Sequence, residues 1–397
     1  MLSIINAHVV HLTMDSVVAT ELSIVVAAQV TVLWNYRVQM LPWYVMIAFV
    51  LAFAVLRGSF LGHFEPKFVR DVLLIPTFLL LGMTTSLRRL TMMIAILHVI
   101  VVAGVLFEAF FTQSYSDLFE VRQYYIATRS FEETAFWDTS SDLFVSATRP
   151  AERFFSFIDL HRVSSVFLEP VSLGNYVVII TAFLCANYRN LSPRLRAFLL
   201  IGNVIALIAC DGRLAAVSSV IIVLAALVAP RLPQKSELLY LPVAVAVAFL
   251  FVFTAHPVVG DNFSGRLAYC VNLLTRYDIA DWLGMSDRFV GLAADSGIAY
   301  TIATQSFVGV ALFWLLLVMD AQERKPEQIK FIHGLCIYIA LTMLVSFALF
   351  SIKTAALLWF IYGSLQRSAV PKAAAEVGVG RELRRSRLRR DFSPQPL

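Results

Sequence analysis

The feature that most limits how this chain can fold is its succession of long apolar stretches, which recur from near the N-terminus to about residue 366. A bilayer core about 30 Å thick is crossed by roughly 20 apolar residues in a helix, and by fewer where a helix is short or broken inside the protein. Of the 397 residues, 59% are hydrophobic and only 15% are charged, which is too apolar for a soluble protein of this length. We therefore expect an all-α, polytopic integral membrane protein.

This length rule predicts about eleven transmembrane helices in a single membrane domain, residues 1–366. Two larger loops, at about 113–166 and 257–296, interrupt the apolar pattern. Residues 151–160 within the first loop are expected to form an interfacial amphipathic helix, and residues 367–397 a basic, disordered tail. The predicted spans are about 17–35, 41–57, 72–87, 90–112, 167–187, 197–211, 214–230, 238–256, 297–319, 331–350 and 353–366.

Short loops rich in lysine and arginine predict the orientation. They lie at about 86–89, 188–196, 231–235 and 324–330, and all fall on the same side as the tail. Such loops stay in the cytoplasm, so the C-terminus is expected inside, and the N-terminus and both larger loops outside. The four cysteines lack the spacing of a zinc site or a disulfide framework. We expect them to be small buried side chains.

Arginines on the predicted outer side depart from this rule. Arg162 precedes the fifth span, Arg213 lies in the turn between the sixth and seventh spans, and Arg266, Arg276 and Arg288 lie in the second loop. The planar guanidinium group matches phosphate oxygens and stays charged, so several that converge from separate segments would bind a pyrophosphate. The alternative is that each arginine pairs with a neighbouring carboxylate or contacts lipid headgroups.

Three titratable residues at helix ends are candidates for a general base. Glu169, followed by Pro170, opens the fifth span, Asp295 opens the ninth, and His161 adjoins Arg162. A carboxylate at these positions could accept a proton from a substrate hydroxyl. Equally, Glu169 and Asp295 suit the start of a helix, and His161 suits a packed or interfacial position.

Several other chemistries lack their motifs. Neither GxxxxGK[ST] nor GxGxxG follows a strand-like run, which argues against nucleotide binding. HExxH and a loop-borne Asp-x-Asp pair are also missing, so we expect no metal and no cofactor. The run of six arginines at 381–390 in the tail suits a membrane surface, and no nucleic-acid-reading module accompanies it.

Four segments in order carry a resemblance to a known family. They are Arg162-x-x-Ser165-x-Phe167-x-Glu169-Pro170-x-x-x-Gly174-Asn175, Asp211-Gly212-Arg213-Leu214-Ala215-Ala216, Gly265-Arg266-Leu267 with Trp282-Leu283-Gly284, and Asp295-Ser296-Gly297-Ile298-Ala299-Tyr300 with Gly309. They are similar to segments of the Wzy-type polysaccharide polymerases and O-antigen ligases, which are integral membrane glycosyltransferases with a GT-C-like fold. The ending Ser351-Ile-Lys353-Thr-Ala-Ala-Leu-Leu-Trp359-Phe360 resembles the exopolysaccharide branch that assembles xanthan-like polymers. The ligases have a histidine where this chain has Asp295.

The resemblance implies a metal-independent polymerase at the periplasmic face of the bacterial inner membrane. Its donor and acceptor would be oligosaccharide repeat units linked to undecaprenyl pyrophosphate, and chain-length regulators or export proteins would be its partners. The pyrophosphate would bind to the five arginines, with Arg162 also taking part in catalysis and Glu169 or Asp295 acting as the base. The alternatives are a ligase, a transporter or flippase of lipid-linked oligosaccharides, and a structural subunit of an export complex.

Overall fold

All regular structure in the described part of the chain is helical. The computed structural model describes residues 2–129, 132, 142–148, 153–157, 160–260, 262–321, 323 and 325–367. Of the predicted tail, 367–397, Arg367 ends the last helix and residues 368–397 lie outside the described ones. The α-helices are α1 (Leu2–His8), α2 (Met14–Trp34), α3 (Leu41–Leu61), α4 (Pro66–Thr84), α5 (Leu87–Phe110), α6 (Thr112–Phe119), α7 (Val121–Arg129), α8 (Pro170–Asn187), α9 (Pro193–Cys210), α10 (Arg213–Val228), α11 (Tyr240–Ala255), α12 (Phe263–Leu274), α13 (Ile279–Trp282), α14 (Gly297–Met319), α15 (Pro326–Val345) and α16 (Ile352–Arg367).

Within the described ranges, nine helices are long and apolar enough to cross a membrane: α2, α3, α5, α8, α9, α10, α11, α14 and α15. Helices α10 and α11 reach that length together with the 3₁₀ turns that adjoin them, as Arg213–Arg231 and Ser236–Ala255. The predicted class, an all-α polytopic membrane protein, is confirmed. The two remaining predicted spans are also helices, but α4 carries Lys67, Arg70 and Asp71, and α16 has only 16 residues. The total of eleven crossings stays a prediction.

Helix α8 lies at the centre of the bundle. It packs against α9, α10, α15 and α16, and α8 and α15 are the most buried of the nine apolar helices. The pair α4 and α16 pack tightly against each other, because glycine stands at the crossing on each helix. A Cβ atom added to Gly363 would lie 1.9 Å from the Leu79 carbonyl oxygen, and one added to Gly82 would lie 2.2 Å from that of Phe360. Small residues of this kind let helix backbones approach closely.

One end of the bundle gathers both larger loops. The C-terminal ends of α5, α9 and α15 meet the N-terminal ends of α8, α10 and α14 there, and we call it the cleft end. The first loop contributes α6 and α7, and the second contributes α12 and α13. Of the predicted amphipathic helix at 151–160, residues 153–157 are described and form bends and turns, so that prediction is wrong there. The physical reason is that the Phe154 and Phe155 N–H groups donate to the Asp211 carboxylate and not along a helix.

Candidate functional site

A cleft of about 200 Å³ opens at the cleft end, between α8, α10, α12 and α15. Three of the five predicted arginines line it, and they come from three separate segments of the chain. The polar residues of its lining are Ser146, Arg162, Asn175, Asp211, Arg213, Ser218, Asn262, Arg266, Tyr338 and Ser346.

Arg162 is held by the C-terminal end of α9 and by the part of the first loop that contains Ser146. Its Nε donates to the Cys210 carbonyl oxygen at 3.3 Å, and its Nη1 donates to that of Ser146 at 3.2 Å. The next residue, Val163, donates its backbone N–H to the Ala209 carbonyl oxygen at 3.0 Å. The bonds to Cys210 and Ala209 satisfy carbonyl groups that the last turn of α9 would otherwise leave unpaired. Arg162 therefore supports the local fold as well as lining the cleft.

The turn between α9 and α10 places Arg213. Asp211 adopts a left-handed backbone conformation, with φ at +51°, which aspartate tolerates better than most residues. Its buried carboxylate accepts the N–H groups of Phe154 at 3.0 Å and Phe155 at 2.9 Å. Arg213 then begins α10 with an exposed side chain. A helix N-terminus attracts an anion, so the backbone N–H groups at the start of α10 and the Arg213 guanidinium group both favour the binding of a phosphate.

Helix α12 brings Arg266 to the opposite wall. The Asn262 side chain caps this helix by accepting the Gly265 N–H at 2.7 Å. Arg266 Nη1 donates to the carbonyl oxygen of Val345, the last residue of α15, at 3.2 Å. The same nitrogen lies 3.8 Å from Asp295 Oδ1, and the Asp295 side chain is largely exposed. Asp295 thus lies beside the cleft, next to one of its cations.

Two titratable side chains of α12 close to Arg266 in sequence, Tyr269 and Cys270, are uncharged. Burial, together with the charge of Asp295, raises the pKa of Tyr269, whose hydroxyl donates to the Leu292 carbonyl oxygen at 2.6 Å. Burial raises the pKa of the Cys270 thiol to about 11, against a smaller lowering by the Ser296 hydroxyl. Both groups are therefore protonated near neutral pH, and neither contributes an anion.

Two of the three predicted base candidates are engaged elsewhere. Glu169 is the N-cap residue of α8 and is not among the residues that line the cleft. Its Oε2 accepts the Ser172 hydroxyl at 2.8 Å. The carboxylate also interacts electrostatically with Tyr125 and Lys353. His161 Nε2 lies 3.2 Å from Glu108 Oε1, a contact that fixes the loop.

Arg276 and Arg288 also lie outside the cleft lining. The Arg288 guanidinium carbon is 4.5 Å from the centre of the Phe289 ring. The structure thus brings Arg162, Arg213 and Arg266 together and leaves Arg276 and Arg288 apart from them.

Of the uncharged polar residues of the cleft, the sequence singled out Asn175, which follows Gly174, but not Ser146, Ser218 or Tyr338. Asn175 Nδ2, Ser218 Oγ and Ser146 Oγ are buried atoms that have no hydrogen-bond partner in the described residues. Asn175 Oδ1 accepts the hydroxyl of Tyr338 at 2.9 Å. On α8 the signal was visible, because Val171, Gly174, Asn175 and Val178 share one helical face. Ser218 adjoins Ser219 in α10, and Tyr338 is one of several polar residues in α15, so sequence alone gives no reason to select either of them.

Fold and site together define a polytopic helical membrane protein with an arginine-lined cleft at one end of its bundle. Comparison of the chain with models of protein families, with curated proteins and with solved structures finds no significant match. The chemistry of the cleft is therefore argued from its own residues.

Proposed function

We propose that this protein is a metal-independent glycosyltransferase that polymerises oligosaccharide repeat units linked to undecaprenyl pyrophosphate. The reaction would take place at the periplasmic face of the bacterial inner membrane, in exopolysaccharide biosynthesis, within a GT-C-like bundle of about eleven spans. One observation carries the proposal: guanidinium groups from three separate segments line a single cleft where both larger loops meet.

The cleft suits the departure of a diphosphate. As the bond between the anomeric carbon and the diphosphate oxygen breaks, negative charge grows on the leaving group. Fixed positive groups lower that barrier, because they are already oriented before the charge develops. Arg162 and Arg266 are held by backbone carbonyl groups, and Arg213 begins a helix. The donor lipid would bind here through its diphosphate.

Asp295 is the better candidate for the general base. It lies beside Arg266 and is largely exposed, so an acceptor sugar can reach it. In the transfer, the acceptor hydroxyl attacks the anomeric carbon, its proton passes to the carboxylate, and the lipid diphosphate leaves. Glu169 is better interpreted as a residue that stabilises the start of α8, because Ser172 occupies one of its oxygens outside the cleft.

A transporter is the main rival from another class, because buried charges inside membrane proteins often mark transport paths. Such charges occur where α2 meets α4: Arg70 lies 2.8 Å from Glu21 and 2.6 Å from Asp71. Asp71 also accepts the Tyr300 hydroxyl at 2.7 Å. The charged groups pair directly with one another, and the Tyr300 hydroxyl satisfies the remaining oxygen of Asp71. This cluster therefore suits a fixed link between helices better than a transport path.

The deciding experiment replaces two of the cleft arginines, Arg213 and Arg266, with alanine in cells that make the polymer. Losing one oriented donor to a developing charge typically costs about 10²–10³ in rate, so long polymer should disappear while single repeat units remain on the lipid at the periplasmic face. Arg276→Ala and Arg288→Ala are matched controls from the second loop, which also carries Arg266, and polymer should stay normal in both.

Other outcomes identify the alternatives. Accumulation of repeat units on the cytoplasmic leaflet would indicate transport. Polymer of normal length that stays on the lipid would indicate a ligase. Normal polymer in both cleft variants, at wild-type protein levels, would refute the proposal.

A further inference from the structure

Uncharged polar atoms in the cleft have no partner within the described protein. Asn175 is 6% exposed and Ser218 is 1% exposed, yet Asn175 Nδ2 and Ser218 Oγ make no hydrogen bond to any described residue. Ser146 Oγ, at the rim, is in the same state. Native proteins seldom leave buried polar groups unsatisfied, because each has lost its water without replacing it. Three residues of one cleft lining therefore carry polar groups that a bound ligand would satisfy.

The orientation of Asn175 is set by its neighbour. Tyr338 on α15 holds Oδ1, and this leaves the amide N–H groups as the unused part of the side chain. Asn203, a buried asparagine on α9, provides a contrast. Its Nδ2 donates to the Val177 carbonyl oxygen at 3.1 Å and to Thr181 Oγ1 at 3.0 Å, and its unpaired atom is the acceptor Oδ1. The unpaired group of Asn203, which lies outside the cleft lining, is thus an acceptor, whereas that of Asn175, which belongs to the lining, is a donor.

The chemistry of these groups differs from that of the arginines. An amide N–H donates, and a serine hydroxyl both donates and accepts, so together they match the hydroxyl groups of a sugar. The guanidinium groups match phosphate oxygens. At about 200 Å³ the cleft is smaller than the roughly 300–1,000 Å³ of sites for drug-sized ligands, so it suits a group about the size of one sugar residue and not a longer glycan.

We propose that Asn175, Ser218 and Ser146 form a subsite for the first sugar of the lipid-linked glycan, the residue joined directly to the diphosphate. This inference rests on the proposed function, because the covalent bond between that sugar and the diphosphate is what brings it to these residues. The subsite makes the protein selective for the identity of the first sugar, while the arginines recognise the diphosphate that every substrate shares.

Binding to the purified full-length protein in lipid nanodiscs tests the inference. The probes are undecaprenyl diphosphate alone and undecaprenyl diphosphate bearing glucose, galactose or N-acetylglucosamine. The wild type should bind at least one sugar-bearing lipid more tightly than the bare lipid. Asn175→Ala and Ser218→Ala should each weaken that ligand about three- to tenfold, the size expected for one hydrogen bond, and leave the bare lipid unchanged. Arg266→Ala should weaken every probe.

The controls are Asn203→Ala and Ser219→Ala, which remove the same groups from buried positions outside the cleft lining. Neither should alter selectivity between the probes. If no sugar adds affinity in the wild type, or if Asn175→Ala weakens the bare and sugar-bearing lipids equally, the subsite is refuted and the diphosphate site stands. If no probe binds in an Arg266-dependent way, the proposed function fails and the subsite fails with it.

Discussion

Glu108 fixes the loop that carries Arg162. This carboxylate is fully buried near the end of α5, and its Oε2 accepts the backbone N–H groups of Ser164 at 2.9 Å and Ser165 at 2.6 Å. Its other oxygen lies 3.2 Å from His161 Nε2. Ser165 has φ at +53°, a strained conformation for serine that these bonds stabilise. One side chain thus sets the path of the segment from His161 to Ser165.

Replacing Glu108 with glutamine keeps the shape of the side chain but removes its charge. The carbonyl oxygen of glutamine can still accept both N–H groups, but bonds to a neutral acceptor are weaker, and the contact with His161 is kept only where the imidazole Nε2 accepts from the new amide group. Hydrogen bonds to a charged group contribute about 1.5–3 kcal/mol each, so Glu108→Gln should lower the unfolding temperature in detergent by several degrees. Asp117→Asn, at an exposed site in α6, is the control and should leave it unchanged. Equal unfolding temperatures for Glu108→Gln and wild type would show that the loop is held by other contacts.

The residues of the site were only partly predictable. A guanidinium group near an outer helix end is visible in a sequence, which is why Arg162, Arg213 and Arg266 could be named. Their separation from Arg276 and Arg288 depends on where α12 packs against α15, a contact between residues distant in the chain. Glu169 matched the sequence pattern of a helix start. Its hydrogen bond with Ser172 could not be predicted, because a sequence motif does not distinguish a glutamate that caps a helix from one that acts as a base.

Among the secondary-structure elements, the crossing of α4 and α16 depends most on single residues. Gly363 and Gly82 let the two backbones touch, so any side chain at the crossing must push the helices apart. We expect Gly363→Ala to cost several kcal/mol, since the added carbon would overlap a carbonyl group that cannot move without its helix. The measurement is thermal unfolding of the purified protein.

Gly291→Ala serves as the control, because a Cβ atom there meets nothing within 4 Å. It should leave the unfolding temperature close to that of the wild type. A Gly363→Ala protein as stable as the Gly291→Ala protein would contradict the close approach of α4 and α16.

Helix positions followed from hydropathy where a helix faces lipid, and less well where it faces protein. The structure extends the predicted span 72–87 to a helix that begins at Pro66, because the charges of Arg70 and Asp71 are balanced by each other and by Glu21. A hydropathy plot treats charged residues as signs of a loop, because it contains no information about a partner of opposite charge in another helix. Helix α14 is broken at Ser306, where φ is +68°. Neither neighbour of Ser306 is a proline or a glycine, so the sequence did not predict this break.

At the scale of the whole molecule, the cleft and the basic loops lie at opposite ends of the bundle. The cleft joins the N-terminal end of α8 to the C-terminal end of α9, whereas the arginine-rich residues 188–196 connect the other ends of the same two helices. Since loops rich in lysine and arginine stay in the cytoplasm, the cleft is expected to open on the outer side. The proposed substrate, whose glycan is joined at the periplasmic face, requires that orientation.

Cysteine labelling tests the orientation directly. Thr275 follows α12 at the cleft end, Asn190 lies in the loop between α8 and α9, and both are exposed. In spheroplasts, a maleimide that cannot cross the membrane should label Thr275→Cys at once and Asn190→Cys only after permeabilisation. The native cysteines should give little background, because Cys210, Cys270 and Cys336 are buried and Cys185 is partly buried in α8. The reverse pattern would place the three arginines in the cytoplasm, where no periplasmic glycan could reach them, and would rule out the proposed polymerase whatever the chemistry of its cleft.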